Sequence, residues 1–250
     1  MDLSNSVAVV TGGADGIGLA AARRLQTLGA DVMIADIDSA KVSEKAKAYG
    51  FRGVVCDVRD EQDILNLANK ANELGEVRFV MPNAGVAVGG RFERIPTEEW
   101  RRLFDVNVLG VVRTINAFLP GMMERKHGHI VVTGSSAGLF LSDGFDVPYA
   151  ASKHALRAIT QGLSAYCHPL DIAVHYLAPR ITDTAFPRSS IAWGQRGSRV
   201  TEDRDIGDDY DTVEDVVDAL FLGIENGESV ISLSADTQER MKAEVAMLME

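Results

Sequence analysis

Cysteine is nearly absent: two residues in 250, Cys56 and Cys167, stand far apart. That excludes a disulfide framework and a CxxC redox or zinc motif, and leaves both thiols as small packing residues. Basic charge is also short. Lys and Arg number 25 against 36 Asp and Glu, a net charge of −11, and the acidic residues are spread along the chain instead of forming a tail. Nucleic acid is therefore not an expected partner. No run approaches the ~18 uninterrupted apolar residues of a membrane span. Met1-Asp2-Leu3 leads within a few residues into a strand, with no room for a signal peptide, so a soluble, cytoplasmic protein without a membrane partner is expected. Internal repeats and Pro/Gly/Ser-rich linkers are missing too. Of the five histidines, His127 and His129 flank a strand start with no third ligand at useful spacing, and no metal site is expected.

What is present is enough for one full core: 46% hydrophobic and 24% charged residues over 250 positions. A single domain spanning residues 1–250 is expected. Short apolar runs alternate with longer segments of helical period. The strand candidates are Val7–Val10, Asp31–Ala35, Gly53–Cys56, Val77–Met81, His129–Thr133, Ile172–Tyr176 and, more weakly patterned, Ser229–Leu233. Helical segments between them include Ile17–Leu28, Glu61–Glu73, Glu98–Arg125 and Tyr149–Tyr166. Strand–helix alternation predicts an α/β fold, a doubly wound parallel sheet of about seven strands with helices on both faces. The period fails from Arg180 to Asp211, where Gly, Ser, Arg and Asp accumulate. A structureless stretch of that length reads as a substrate lid over 184–211 or as a surface insertion.

The first strand ends in Thr11-Gly12-Gly13-Ala14-Asp15-Gly16-Ile17-Gly18, and a helix begins at once. Glycines let the backbone turn tightly and approach a pyrophosphate, whose charge a helix N-terminus stabilises. Asp36, at the end of the next strand, can accept hydrogen bonds from both ribose hydroxyls of a dinucleotide's adenosine half, whereas a 2′-phosphate would face its carboxylate. Asp15 adds a second negative charge within the loop. NAD is accordingly expected in preference to NADP.

Tyr149-Ala150-Ala151-Ser152-Lys153 sets a phenol and an ammonium four residues apart on one helix face. A free tyrosine titrates near pH ~10, and bringing it down by two to three units needs ~3–4 kcal/mol of differential stabilisation. A nearby cation in a desolvated cleft, with a positive nicotinamide ring, can supply energy of that order. Tyr149 then trades a proton with an alcohol or carbonyl oxygen near neutral pH, tuned by Lys153.

With this glycine spacing and this tyrosine–lysine pair, the sequence resembles the classical short-chain dehydrogenase/reductase family from Val7 to about Asp218. The resemblance implies that Gly12, Asp15, Gly16, Ile17, Gly18 and Asp36 line the cofactor, that Asp57 and Val58 after the third strand hold the adenine, and that the Asn83-Ala84-Gly85 turn supports the cofactor. It further implies that Pro179, Ile181 and Thr184 meet the nicotinamide end, Ile181 by its backbone and Thr184 at the carboxamide. Tyr149 and Lys153 count on both lists, as catalytic and as cofactor-binding. The family's substrate-orienting serine falls on Ser135 when aligned from the fifth strand and Gly138, and on Ser136 when counted back from Tyr149; the strand alignment is preferred. Asn107 matches the family's helix asparagine, associated through its carbonyl with a proton-relaying water.

Two departures stand out. Pro82 replaces a frequent asparagine and removes a backbone donor. Arg180 replaces the usual glycine after Pro179, and either points outward or reaches the cleft to pair with an acidic substrate group or with Asp143, Asp146 or Asp183. The expected activity is hydride transfer between a secondary alcohol or ketone and NAD. A non-catalytic NAD sensor, or an epimerase or dehydratase on the same fold, are the alternatives. A Gly-rich final strand is missing, and Ser234–Glu250 instead carries Met241, Val245 and Leu248 on one helical face. A homodimer through Glu98–Arg125 and Tyr149–Tyr166 is thus expected over a tetramer.

Overall fold

Every residue of β1 (Val7–Thr11) is buried, as a central strand of a parallel sheet covered on both faces must be. The computed structural model describes residues 1–140, 144–188, 191–193, 199–200 and 210–233. In chain order β1 leads to α1 (Gly16–Thr27), β2 (Asp31–Asp36), α2 (Ser39–Tyr49), β3 (Arg52–Val55), α3 (Glu61–Leu74) and β4 (Val77–Met81). Then come β5 (Val88–Gly90), α4 (Thr97–Phe104), α5 (Gly110–Arg125), β6 (Gly128–Thr133), α6 (Val147–Cys167) and β7 (Ile172–Leu177). The remainder is α7 (Ala185–Arg188), β8 (Ile191–Trp193), β9 (Arg199–Val200), α8 (Val213–Glu225) and β10 (Val230–Ile231).

Seven strands form one sheet in the order β10-β7-β6-β4-β1-β2-β3, all pairings parallel. The order reverses between β1 and β4, and a ligand crevice opens beyond the carboxyl ends of strands at such a switch point. One face is covered by α1 and α8 through Ala21, Ala22, Leu25, Val216 and Leu220. The other is covered by α3, α5 and α6 through Leu67, Ile115, Phe118 and Leu156. This is the doubly wound, Rossmann-type fold that the alternating pattern predicts. The side chains of Asp38 and Asp60 cap α2 and α3, each accepting from two N–H groups, which stabilises a helix start by about 1 kcal/mol.

Two features depart from the simple alternation. The helix expected over Glu98–Arg125 is interrupted by a π-helical turn, Asp105–Leu109, that carries the fully buried Asn107. The whole run Thr97–Arg125 is long and apolar enough to cross a membrane by length and composition. Its apolar face, with Leu103, Val111, Ile115, Phe118 and Met122, is instead buried in this core. Second, the stretch expected to lack structure after Arg180 contributes β8 and β9, and β8 pairs in parallel with β5. The expected C-terminal helix face, Met241, Val245 and Leu248, lies outside the described residues, as do Asp143 and most of the expected lid.

Candidate active site

The turn from β1 into α1 is built by three glycines that tolerate no side chain. Gly12 has φ +61°, and a Cβ there would stand 2.8 Å from the Ala84 Cα. A Cβ on Gly18 would lie 2.5 Å from the Asn83 side-chain nitrogen, and one on Gly16 (φ +50°) would press on Thr184 at 3.0 Å. The glycine loop therefore touches both the Asn83–Gly85 turn and the Pro179–Thr184 turn, joining residues far apart in sequence. Asn83 donates from its side chain to the Gly12 carbonyl at 3.0 Å. The buried Thr11 hydroxyl accepts from the Asn83 N–H at 3.0 Å and the Ala84 N–H at 3.3 Å. Ile17 and Gly18 open α1, whose first turn carries no acidic side chain. Pro82, despite its missing donor, keeps its carbonyl in use: the Thr133 N–H donates to it at 3.1 Å.

At the end of β2, Asp36 accepts from the Ala14 N–H at 3.4 Å and the Asp38 N–H at 3.2 Å. Asp15 caps α1 by accepting from Gly16 N–H at 2.8 Å, and its other oxygen is ion-paired with Lys41 Nζ at 2.6 Å. The Lys41 ammonium and the Gly16 N–H hold the Asp15 carboxyl below its ordinary range against the opposing effect of burial. The second negative charge expected from Asp15 is thus neutralised in place, which the pattern of the glycine loop alone does not reveal. Asp57 likewise is engaged: Arg59 Nε donates to its two oxygens at 2.9 and 3.0 Å. Val58 is buried against Gly110, where a Cβ would come within 2.7 Å of its side chain.

Across the switch point, β6 and α6 bring Ser135, Tyr149 and Lys153 together. The Ser135 hydroxyl lies near enough to the Tyr149 phenol to lower its pKa, and it accepts from the Ala137 N–H at 3.2 Å. Ser136 spends its N–H on the Pro179 carbonyl at 2.9 Å, and of the two serines it is Ser135 whose side chain acts on the Tyr149 phenol. Lys153 Nζ stands 5.6 Å from the Tyr149 ring centre and donates to the Thr133 carbonyl at 2.9 Å. Asn107 clasps the Val86 backbone, accepting from its N–H at 2.8 Å and donating to its carbonyl at 2.9 Å. Its amide also donates to the Ser152 hydroxyl at 3.1 Å, which in turn donates to the Tyr149 carbonyl at 2.7 Å. The π turn is thereby tied to the start of α6.

Electrostatics differ from the expectation that Lys153 lowers Tyr149. Burial pushes the Tyr149 phenol up to about 12, partly opposed by the Ser135 hydrogen bond and assisted by the Asp146 carboxylate. Burial pushes the Lys153 ammonium down to about 8. Desolvation acts on both groups, on Lys153 with 4% of its surface exposed and on Tyr149, which is only partly buried. At neutral pH the phenol is therefore held protonated, as a proton donor.

Arg180 has a partner that lies outside the expected set, Asp211. It pairs with Asp211, Nη2 to Oδ1 at 2.9 Å and Nε to the same oxygen at 3.2 Å. The Asp211 N–H donates to the Ile181 carbonyl at 2.8 Å, and the Asp183 N–H to the Asp211 carbonyl at 3.2 Å. This clamp fastens the far end of the irregular stretch to the strand end beside Thr184. Beside Tyr149 sits Phe186, its ring centre 6.0 Å from that of Tyr149. Among the described residues no cluster of three His, Cys, Asp or Glu side chains could hold a metal.

Thr11, Lys41, Ser152, Tyr176 and Asp211 were not reached by sequence reasoning. Only Thr11 and Ser152 lay inside motifs already singled out. Comparison with known proteins agrees with the geometry. The family model described as short chain dehydrogenase matches residues 6–194. The chain is 32% identical to 1-deoxy-11-beta-hydroxypentalenate dehydrogenase of Streptomyces exfoliatus, over 97% of this chain and 88% of that one. It is 35% identical to dehydrogenase/reductase SDR family member 4 of Rattus norvegicus, over 78% and 71%. A short chain dehydrogenase/reductase from Burkholderia phymatum, solved in complex with NAD, superposes with a TM-score of 0.86 at 25% identity, covering 100% and 97%. The fold is shared by a short-chain dehydrogenase from Sphingobium yanoikuyae in complex with NADPH, at TM-score 0.79 and 24% identity over 98% and 95%. The chain belongs to the classical short-chain dehydrogenase/reductase family of oxidoreductases.

Proposed function

We propose that the chain is an NAD-dependent dehydrogenase or reductase that interconverts a secondary alcohol and its ketone, with Tyr149 as the acid/base. The observation that carries this reading is the meeting of three side chains, the Ser135 hydroxyl acting on the Tyr149 phenol and Lys153 Nζ 5.6 Å from the phenol ring. Bound nicotinamide supplies or accepts the hydride. The chain's residues then handle only the oxygen and its proton. In reduction, Tyr149 donates its proton to the carbonyl oxygen while the Ser135 hydroxyl donates a hydrogen bond to the same oxygen. In oxidation Tyr149 must first be deprotonated, which the Lys153 ammonium and the positive charge of an oxidised cofactor favour.

The residues fit a dinucleotide. Gly12, Gly16 and Gly18 leave room where a Cβ would collide, and the α1 N-terminus offers N–H groups to the pyrophosphate. Gly16, Ile17 and Thr184 would hold the phosphates and the nicotinamide end, Asp57 and Val58 the adenine, and Lys153 the nicotinamide ribose. Asn83, Ala84, Gly85, Pro179 and Ile181 shape the walls. Asp36 would receive the adenosine ribose hydroxyls and repel a 2′-phosphate. With Asp15 neutralised by Lys41, the preference for NAD rests on Asp36. The substrate is uncharged, since Arg180 is paired with Asp211 and an apolar ring, Phe186, stands beside Tyr149. A homodimer through α5 and α6, which expose Leu109 beside α5 and Tyr166 on α6, completes the reading.

Turnover of a panel of secondary alcohols and ketones, read by NADH absorbance with NAD and NADP in parallel, tests the proposal. Binding titrations give NADH tighter than NADPH in the wild type, and Asp36→Ser narrows the gap by ~10-fold or more. Equal affinities in the wild type contradict the NAD assignment, and retained binding without turnover of any panel member favours a sensor.

A further inference from the structure

Tyr176 lies on β7 with 0% of its surface exposed, and its hydroxyl bonds to no solvent-facing group. We propose that Tyr176 is a positioning residue that fixes the spacing between the Ser135 strand end and the Lys153 helix, and so sets where Ser135, Tyr149 and Lys153 meet. The proposal rests on the catalytic reading of those three residues given above. A core position does not need a hydroxyl, and burying one without partners is unfavourable. Here every partner belongs to the site. The phenol oxygen accepts from the Ser135 N–H at 3.2 Å. Its single proton is shared between the Ser135 carbonyl at 3.1 Å and the Lys153 carbonyl at 3.2 Å. One side chain thus spans β6 and α6 at the residues that carry the oxygen-binding hydroxyl and the ammonium.

The surroundings are shaped for this ring. A Cβ on Gly134 would run into its ring carbons, and a Cβ on Gly138 would run into its hydroxyl. The two glycines bracket Ser135, so the loop bearing the catalytic hydroxyl closes onto Tyr176 from both sides. One helical turn beyond Lys153, the Arg157 guanidinium lies 5.8 Å from the ring centre, a second tie to α6. Tyr176 does not face the cleft. It acts through the backbone of two residues that do.

Tyr176→Phe removes the hydroxyl and keeps the ring, the Arg157 contact and the packing. Since misplacement by about 1 Å costs on the order of 10²-fold, kcat falls ~10–100-fold and the midpoint of its pH profile moves, while NADH affinity stays within ~2-fold. Amide exchange over residues 134–138 accelerates ~10-fold, a readout independent of turnover. If the variant does not fold, Gly134→Ala/Tyr176→Leu, in which the alanine methyl fills space the ring vacates, carries the same comparison. Lower thermal stability with wild-type kcat, pH profile and amide protection overturns the proposal and leaves a packing role. The Tyr149→Phe variant is assayed alongside: if it keeps full turnover, the catalytic reading itself fails, whichever way Tyr176 behaves.

Discussion

Replacing Lys153 by methionine tests the burial of its ammonium without reference to any substrate. The lysine is 4% exposed, its Nζ donates to one carbonyl, and burial brings it from 10.5 down to about 8. The unfolded chain therefore holds this proton up to pH 10.5 and the folded chain only to about 8. Between those values the unfolded state binds more protons, so stability rises with pH. Each pH unit of that interval is worth ~1.4 kcal/mol, about 3 kcal/mol across the whole of it. Tyr149 acts oppositely but higher: held at about 12 against 10 in the free side chain, it erodes stability as pH rises from 10 to 12. The clean window is pH 8 to 10. Urea denaturation followed by far-UV circular dichroism, in steps from pH 7 to 10, gives the unfolding free energy of wild type and Lys153→Met. The wild-type value climbs relative to the variant by ~2–3 kcal/mol across the window. Parallel curves would show that Lys153 keeps an ordinary ammonium in the fold, and the desolvation argument would be wrong.

Further outcomes follow from single contacts. Thr11→Val strips two backbone donors, Asn83 N–H and Ala84 N–H, of their buried acceptor; it destabilises by about 2–4 kcal/mol in urea titrations and weakens NADH binding. Arg180→Gly leaves the Asp211 carboxylate, 7% exposed, without its cation, so KM rises equally for charged and neutral substrates, whereas a rise confined to anionic substrates would place Arg180 in the cleft. His129, held down to about 4 by burial with His175 and Phe79 stacked beside it, titrates at 6.5 when unfolded; stability is lost as pH falls from 6.5 towards 4, and His129→Phe flattens that limb by about 3 kcal/mol in acid denaturation.

Central strands were legible because parallel strands buried on both faces read as short unbroken apolar runs, as Val7–Val10 and Val77–Met81 do. Tyr149 and Lys153 were legible because a four-residue helical spacing forces one face, and Ser135 because a strand carries its register to its end. Long-range pairings were not. Lys41 is one surface lysine among many until α2 swings it onto Asp15, and Arg180 finds Asp211 thirty-one residues away across an irregular stretch. The β5–β8 pairing joins three-residue strands too short to show a period. Tyr176 stood only as the end of the strand candidate Ile172–Tyr176, since nothing local distinguishes a buried tyrosine with site partners from one without. The engagement of Asp57 was readable in principle, because Arg59 stands two residues on within one tight turn, closed by the Asp60 N–H on the Asp57 carbonyl. Magnitudes also escaped: spacing predicts that an ammonium is near the phenol, but only the depth of burial decides that desolvation prevails.

Tyr149 is proposed to exchange the proton of the reacting oxygen. Turnover of an active alcohol or ketone by wild type and Tyr149→Phe, with NADH binding measured on both, addresses it most directly. General acid–base catalysis of this kind contributes ~10²–10⁴-fold. In Tyr149→Phe kcat falls by a factor in that range with cofactor affinity retained, and unchanged turnover would show that Tyr149 does not exchange that proton.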